Sequence, residues 1–403
     1  MRDLLTLEIG AVAHGGHCVA RHEGRVVFVR HALPGEVVRA RLTEAGDDAR
    51  LWRADAVEVV EASPDRVPSV WSDAGPGGVG GGELAHVALP AQRRWKHEVL
   101  AEAFLRFADR EFPGSVEAAP GDDERGGLGY RTRVTAIAGP EGRAAMHVHR
   151  SRAVKELGSL PIAAPELERL VLETRFSGGS HIVGVAPGGE EPRLVVDGVP
   201  WRGGRPDRRD NAPRRVRETV TTAQGEWTYQ VDVEGFWQVH REAPGVLVDA
   251  VLRGVGDAAT VLDLYAGAGL FTVALASTGR VVTSVEADAR ASRDARRNAH
   301  AVPDTRIVHG DTRAFLESAA VEPGRATPDA IVLDPPRSGA GGRTVDALAA
   351  VGAPRIVYVA CDPVALARDT ALLAAHGYAL EGAQGYDLFP MTHHVETVAT
   401  FIR

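Results

Sequence analysis

The sequence is poor in cysteine: Cys18 and Cys361 are the only two in 403 residues. Thiols so few and so far apart exclude a disulfide-stapled scaffold and fit a reducing compartment, so the expected location is cytoplasmic. Long apolar runs are missing as well. No stretch approaches the roughly 20 apolar residues that a membrane span needs. The opening MRDLLTLEIGAVAHGG has no charged leader ahead of an apolar core. Positive charge is not in excess either. A formal net charge of -8 excludes wholesale coating of nucleic acid, although it leaves room for local basic patches. No internal repeat or long low-complexity tract occurs. What is present, 44% apolar and 25% charged residues, is ordinary globular material and long enough for two or three domains.

The chain divides into three stretches. Residues 1–60 read as short strands, LLTLEIGAVA, HCVARHEG, RVVFVRHA, VVRARLTEA and RADAVEVVE, separated by Gly-rich, His-Gly and Pro-Gly turns. Five strands at this spacing suggest a small barrel of the oligonucleotide-binding (OB) kind, either an RNA binder or a structural appendage. Residues 61–225 are mixed α+β, with a helix expected at PAQRRWKHEVLAEAFLRFADR and strand-like pieces at YRTRVTAIAG, RAAMHVHR and HIVGVAPG. Within this stretch Arg202, Arg205, Arg208, Arg209, Arg214, Arg215 and Arg217 face only Asp207, Asp210 and Glu218. Gly, Pro and Asn mark that basic segment as a loop, one that either reaches phosphates or is simply solvated.

From residue 226 to 403 the alternation becomes regular. TVLDLYAG, VVTSVEAD, TRIVHGD, DAIVLDPP and RIVYVACDP are apolar, β-branched strands, and helical intervals lie between them. Such a pattern gives an α/β domain with a parallel, doubly wound sheet and its ligand beyond the carboxyl ends of the strands.

The candidate site residues fall at those ends. Asp263-Leu264-Tyr265-Ala266-Gly267-Ala268-Gly269 closes the first strand and opens a helix. Its glycines permit close backbone approach to a ligand. Thr272 stands where the third glycine of the dinucleotide fingerprint belongs, so taken alone the signal is weak and a tight strand-to-helix turn is the alternative. Glu286 ends the next strand, placed to take the hydroxyls of a ribose. Together these point to an adenosine-bearing cofactor and leave NAD and S-adenosylmethionine open. The corner Asp334-Pro335-Pro336-Arg337 frees carbonyls that can accept from a planar nitrogenous group, as base-modifying methyltransferases use it. Arg337 stands where amino-methylating enzymes place an aromatic residue, so a ring carbon is the expected target. Cys361, at the end of an apolar strand and before Asp362-Pro363, is either a nucleophile or a buried thiol acting as a small apolar side chain.

These motifs resemble those of the RNA 5-methyluridine methyltransferases, which share a DLYxGxG loop, a DPPR corner, a VxCxP nucleophile and a closing FPxTxHVE. Here they read DLYAGAG, DPPR, VACDP and FPMTHHVE (Phe389 to Glu396), with GFWQVH (Gly235 to His240) in place of an FFQ segment. The resemblance implies a class I, Rossmann-like methyltransferase domain and an amino-terminal TRAM barrel that binds RNA. It also implies S-adenosylmethionine as cofactor, contacted by Gln238, Tyr265, Glu286 and Asp334, with Asp311 near the adenine. Cys361 is then the nucleophile that adds to uracil C6, and Glu396 the base that removes the C5 proton. Burial beside Val395 and Val398 would raise Glu396 into a useful range. His394 is the weaker candidate for that role, and His393 and His394 otherwise pack a turn.

The resemblance also has gaps. Many relatives hold an iron-sulfur cluster with four cysteines, whereas the matching segment 73–86 carries Asp73, Val79 and Gly82, and the later site reads Leu160-Pro161. His86 remains, but no cysteine-held cluster and no other metal is expected. Leu270 replaces an asparagine near the cofactor. The implied partner is RNA, a loop of tRNA or ribosomal RNA from which a uridine can be flipped, with no membrane and a monomeric enzyme. An RNA-binding or folding factor with weak or lost activity is the alternative. A nicotinamide oxidoreductase would leave DPPR, VACDP and FPMTHHVE without a role.

Overall fold

The computed structural model describes residues 4–46, 49–202, 204–321 and 326–403. Within the sequence segments read above, residues 1–3, 47, 48, Gly203 and 322–325 lie outside that set. The chain forms two compact units: Met1–Val99 with Gly121–Ile182 and Phe389–His394, and Leu100–Pro120 with Val183–Leu388 and Val395–Arg403. Among the described residues no helix is long and apolar enough to cross a membrane.

In the first unit the amino-terminal strands make one six-stranded sheet. Leu5–Glu8 and Leu51–Glu61 flank Val37–Glu44, and Arg25–Arg30 runs parallel to Leu51–Glu61. His17–His22 and Arg25–Arg30 are joined through Glu23 and Gly24, both at positive φ (48° and 80°), as a tight two-residue hairpin requires. Val27, Val29, Val38 and Ala40 fill the interior, where helix Leu89–Ala108 adds Ala91, Trp95 and Val99 at a four-residue spacing. Cys18 belongs to this core. Its thiol donates to the Ala32 carbonyl at 3.4 Å, and burial pushes its pKa well up, so it behaves as an apolar side chain.

Segment 73–86 lies in the same unit and is held by ordinary forces. The Asp73 carboxylate accepts the backbone N–H groups of Gly158 (2.8 Å) and Ser159 (3.3 Å) and pairs with Lys155. Val79 and Leu160 are buried. Gly82 lies so close to Trp71 and Ala74 that a Cβ would overlap them. The positions where the resemblance would place cysteines are therefore occupied by a polar clamp, two apolar side chains and a close-packed glycine.

The second unit is built on an eight-stranded sheet. Thr305–His309, Val281–Glu286, Thr260–Leu264, Ala330–Leu333 and Arg355–Ala360 lie side by side and parallel, in that order. Glu396–Ile402 runs antiparallel beside Arg355–Ala360, Ala379–Asp387 runs antiparallel to it in turn, and Val116–Ala118 closes the edge parallel to Ala379–Asp387. Helices alternate with the parallel strands. All four residues of Ala330–Leu333 are fully buried, as strands covered on both faces must be. The parallel part is the doubly wound sheet that the periodicity predicts, and the whole is the class I, Rossmann-like arrangement that the resemblance implies. One expectation needs correcting: the basic segment is not loop throughout, because Arg215 and Arg217 stand on strand Arg215–Thr222, which pairs with Gly225–Asp232.

Candidate active site

The carboxyl ends of the parallel strands gather the polar residues of the second unit. After Leu264 the chain turns through Tyr265 (φ +58°), Gly267 (φ +56°) and Gly269 (φ +88°). Tyr265 is the one non-glycine of the three, held by burial and by hydrogen bonds between its hydroxyl and Thr344 and Thr312. A Cβ on Gly267 would meet nothing within 4 Å, whereas one on Gly269 would touch Ala295. Glu286 binds this turn directly. Its Oε2 accepts the Gly267 N–H at 2.8 Å and its Oε1 the Asp288 N–H at 2.6 Å. Asn298 secures the turn from behind by donating to the Ala268 carbonyl at 2.9 Å. Leu270 starts the following helix, and its carbonyl accepts from the Tyr229 hydroxyl.

Asp311 and Gln238 have different surroundings. Asp311 is exposed and caps helix Thr312–Val321 by accepting the Ala314 N–H at 2.9 Å. Gln238 is buried.

Three carboxyl groups and the thiol of Cys361 form the chemical centre. Asp334 follows strand Ala330–Leu333 and Cys361 follows the neighbouring strand Arg355–Ala360. Ala360 pairs with Thr397 on the next strand, so Cys361 and Glu396 stand one step past that pair, opposite each other. Burial raises Glu396 well above the ordinary glutamate range, and the Asp334 charge adds to this while Arg337 opposes it. Asp334, half-buried by surface area, is nonetheless pushed up to about 7, by the protein packed around its carboxyl and then by Asp263. Asp263 is itself fully buried and raised to about 7, chiefly by desolvation. Its Oδ2 accepts from the Thr272 hydroxyl at 2.5 Å, and its Oδ1 has no partner among the described residues. The Cys361 thiol is pushed up to about 12 by burial, then by Glu396 and Asp334, against the single lowering influence of Arg337. In this state the site holds protons: neither thiolate nor three carboxylates is stable there.

Two features escape the motif reading. Asp263 was quoted within its motif but given no role, although an acid inside an apolar strand is the signal for a buried titrating group. The second is Asp369, on helix Pro363–Ala375 and 3% exposed. Its carboxylate accepts the Tyr358 hydroxyl and the Ala340 N–H, both at 2.7 Å, and the Gly341 N–H at 3.2 Å. It thus ties the loop after Arg337 to the strand and helix flanking Cys361. Gly339 is required there, since a Cβ would lie 2.7 Å from the Asp369 oxygen. His393 and His394 belong to the first unit, where His393 Nδ1 lies 3.8 Å from Glu83 Oε2.

A Rossmann-like sheet with a glycine turn, a strand-end acid and a cysteine beside a buried glutamate is the layout of a nucleotide-cofactor transferase. The comparisons define the class further. Residues 212–403 match the model of the tRNA (uracil-5-)-methyltransferase family, and residues 3–47 match the TRAM domain. An uncharacterised RNA methyltransferase of Streptomyces avermitilis is 43% identical over 99% of this chain and 98% of its own length. One of Bifidobacterium longum is 40% identical over 98% of this chain and 96% of its own. The fold is also that of the Pyrococcus abyssi tRNA (uracil-54, C5)-methyltransferase solved with S-adenosyl-L-homocysteine, with a TM-score of 0.72 and 22% identity, covering 98% of this chain and 100% of that one. The chain belongs to the tRNA (uracil-5-)-methyltransferase family of RNA methyltransferases.

Proposed function

We propose that this enzyme transfers a methyl group from S-adenosylmethionine to C5 of a uridine in a loop of tRNA or ribosomal RNA, through a covalent bond between Cys361 and C6. The observation that carries the reading is the placement of Cys361 opposite Glu396 at the end of one ladder, beside Asp334.

The turn Tyr265 to Gly269 fits the cofactor. Gly267 leaves open space at its Cα, and Glu286 presents a carboxylate at the strand end where ribose hydroxyls can donate. Tyr265, Glu286, Asp334 and Gln238 would hold the cofactor, with the Oδ2 of Asp311 free to face the adenine while Oδ1 caps its helix. When bound, the cofactor supplies an electrophilic methyl group on a sulfonium.

The protein's residues must supply the rest. Uracil C5 is a poor nucleophile. As Cys361 sulfur bonds to C6, the C5–C6 π pair moves to C5 and the thiol proton leaves for a base; C5 then takes the methyl group, and the pair of the broken S–CH3 bond would stay on the cofactor sulfur, which leaves as a neutral thioether. Glu396, in carboxylate form, removes the C5 proton, the C–S electron pair returns to the sulfur, and the C5–C6 double bond reforms. The thiol pushed up to about 12 sets the difficulty. The lowering influence of Arg337 is already contained in that value, so thiolate is scarce at neutral pH and cysteine attack needs a base to take the proton or the further positive charge that a bound sulfonium would add.

That same thiol favours one second reading, an RNA-binding or folding factor with weak or lost methylation. Transfer of labelled methyl to RNA lacking 5-methyluridine, followed by nucleoside digestion and mass analysis, separates the two. Appearance of 5-methyluridine supports the enzyme and names the RNA. Cofactor and RNA binding without product supports the factor.

A further inference from the structure

Helix Ala289–Asn298 exposes a face made almost wholly of arginine. Arg290, Arg293, Arg296 and Arg297 are exposed, and its one acidic residue, Asp294, is buried. Their three- and four-residue spacings place them along one stripe about 10 Å long. Hairpin Arg215–Asp232 packs against this helix and presents Arg215 and Arg217 on its own exposed side.

Asp294 joins the two elements. Its Oδ1 accepts from Arg215 Nε at 3.1 Å and Arg297 Nη1 at 3.0 Å, and its Oδ2 accepts the Asp232 N–H at 3.0 Å. Asp232 in turn lies 3.5 Å from Arg290. The two carboxylates fix the guanidinium heads of Arg215, Arg297 and Arg290 and offset two of the positive charges gathered here, so the face stays positive. The cluster is not explained by helix stability. Arg296 and Arg297 complement the carboxyl-terminal end of the helix dipole, but Arg290 and Arg293 lie towards the other end, where the dipole disfavours positive charge. Six arginines gathered here also run against a chain of net charge -8. The basic side chains are arginine everywhere except Lys96 and Lys155, and the guanidinium fork matches phosphate oxygens two at a time.

We infer that helix Ala289–Asn298 and hairpin Arg215–Asp232 form a phosphate-binding face that grips the RNA backbone away from the target uridine. This rests on the RNA reading above and extends it from the reacting base to the rest of the substrate. Such a face sets affinity and register, and leaves the chemistry at Cys361 unaltered.

The test uses the full chain and an in vitro transcribed tRNA pool, titrated over a series of salt concentrations. Double charge reversal, Arg293→Glu with Arg296→Glu, should raise the RNA Kd and KM about tenfold or more and lower the slope of log Kd against log salt by about two. The kcat at saturating RNA and the cofactor Kd should stay unchanged. Arg293→Lys with Arg296→Lys keeps the charge and should stay within a few-fold of the unaltered chain, which guards against a folding defect. Equal RNA affinity and salt slope in the reversed chain, with methylation intact, overturns the phosphate face alone. An unaltered chain that neither binds nor methylates RNA overturns the RNA reading with it.

Discussion

Cys361 and Glu396 stand opposite each other one step beyond the pair Ala360 and Thr397, so a parallel strand and an antiparallel one deliver a thiol and a carboxyl to the same point. The antiparallel strand matters for this. A sheet continued only by parallel strands would present backbone running the other way, and a residue entering its strand could not meet one leaving it. Replacing Cys361 by Ala should lower methyl transfer by at least about a thousandfold, because the C5 carbon is not activated without the adduct. Cofactor affinity should be retained. Methylation close to that of the unaltered chain would remove this thiol from the reaction.

Glu396→Gln separates bond making from bond breaking. Glutamine keeps the shape but cannot accept the C5 proton, so the methylated base should stay attached to Cys361. A shifted protein band carrying RNA, resistant to denaturant, is the expected observation. Free 5-methyluridine RNA at the normal rate would assign the proton to another base, and no adduct together with no methylation would place Glu396 before the first bond instead.

The buried Asp263 makes stability depend on pH. Its folded pKa of about 7 lies above the ordinary carboxyl value, so the native state holds a proton that the unfolded chain has released. Stability therefore falls as pH rises between about 4 and 7, the opposite of an ion-paired aspartate. Asp263→Asn removes that loss and keeps an acceptor for Thr272. Thermal unfolding should show the variant gaining on the parent between pH 5 and pH 8, by up to a few kcal/mol for a group this deeply buried. A parallel shift at both pH values would mean that Asp263 does not titrate in this range.

The Asp369 clamp is expected to hold the Arg337 loop by hydrogen bonds from the buried Tyr358 hydroxyl and from the half-buried Ala340 and Gly341 N–H groups. Asp369→Ala leaves the Tyr358 hydroxyl without that acceptor, while the Ala340 N–H keeps the Tyr358 oxygen at 3.0 Å, a cost of about 1–3 kcal/mol. Tyr358→Phe removes one donor and should cost about 1 kcal/mol. Denaturant unfolding of the two variants gives the ratio; equal losses would place the stabilisation in the tyrosine alone.

How far the residues announce this arrangement depends on the distance over which each signal acts. Strand-end motifs are local. An apolar strand, a turn and a glycine or proline corner lie within ten residues of one another, so Asp334, Glu286 and Cys361 could be placed at strand ends from spacing alone. The meeting of Cys361 with Glu396 is different, because it depends on the register of two strands separated by helix Pro363–Ala375 and by strand Ala379–Asp387, and no local pattern carries register. The interleaving of the two compact units has the same cause. Residues 389–394 fall with one unit and the chain from Val395 with the other, although FPMTHHVE reads as a single motif. Hidden for another reason were Asp369 and Asp294, which look like surface charges in a helical sequence. Their burial is fixed by what packs against the helix.

Gly267 offers the cleanest reading of the cofactor pocket, because a Cβ there would meet no protein atom within 4 Å. Gly267→Ala carries a backbone cost, as φ is +56°, of about 1 kcal/mol. That loss appears in thermal unfolding of the ligand-free protein. Any larger effect must come from something occupying the space in front of the turn. We therefore expect S-adenosylmethionine affinity to fall at least tenfold while the fold survives, and S-adenosylhomocysteine, which keeps the adenosine, to lose affinity in parallel. An alanine variant that binds both as tightly as the parent would show that the ligand does not approach this backbone, and would move the pocket away from the turn that Glu286 holds.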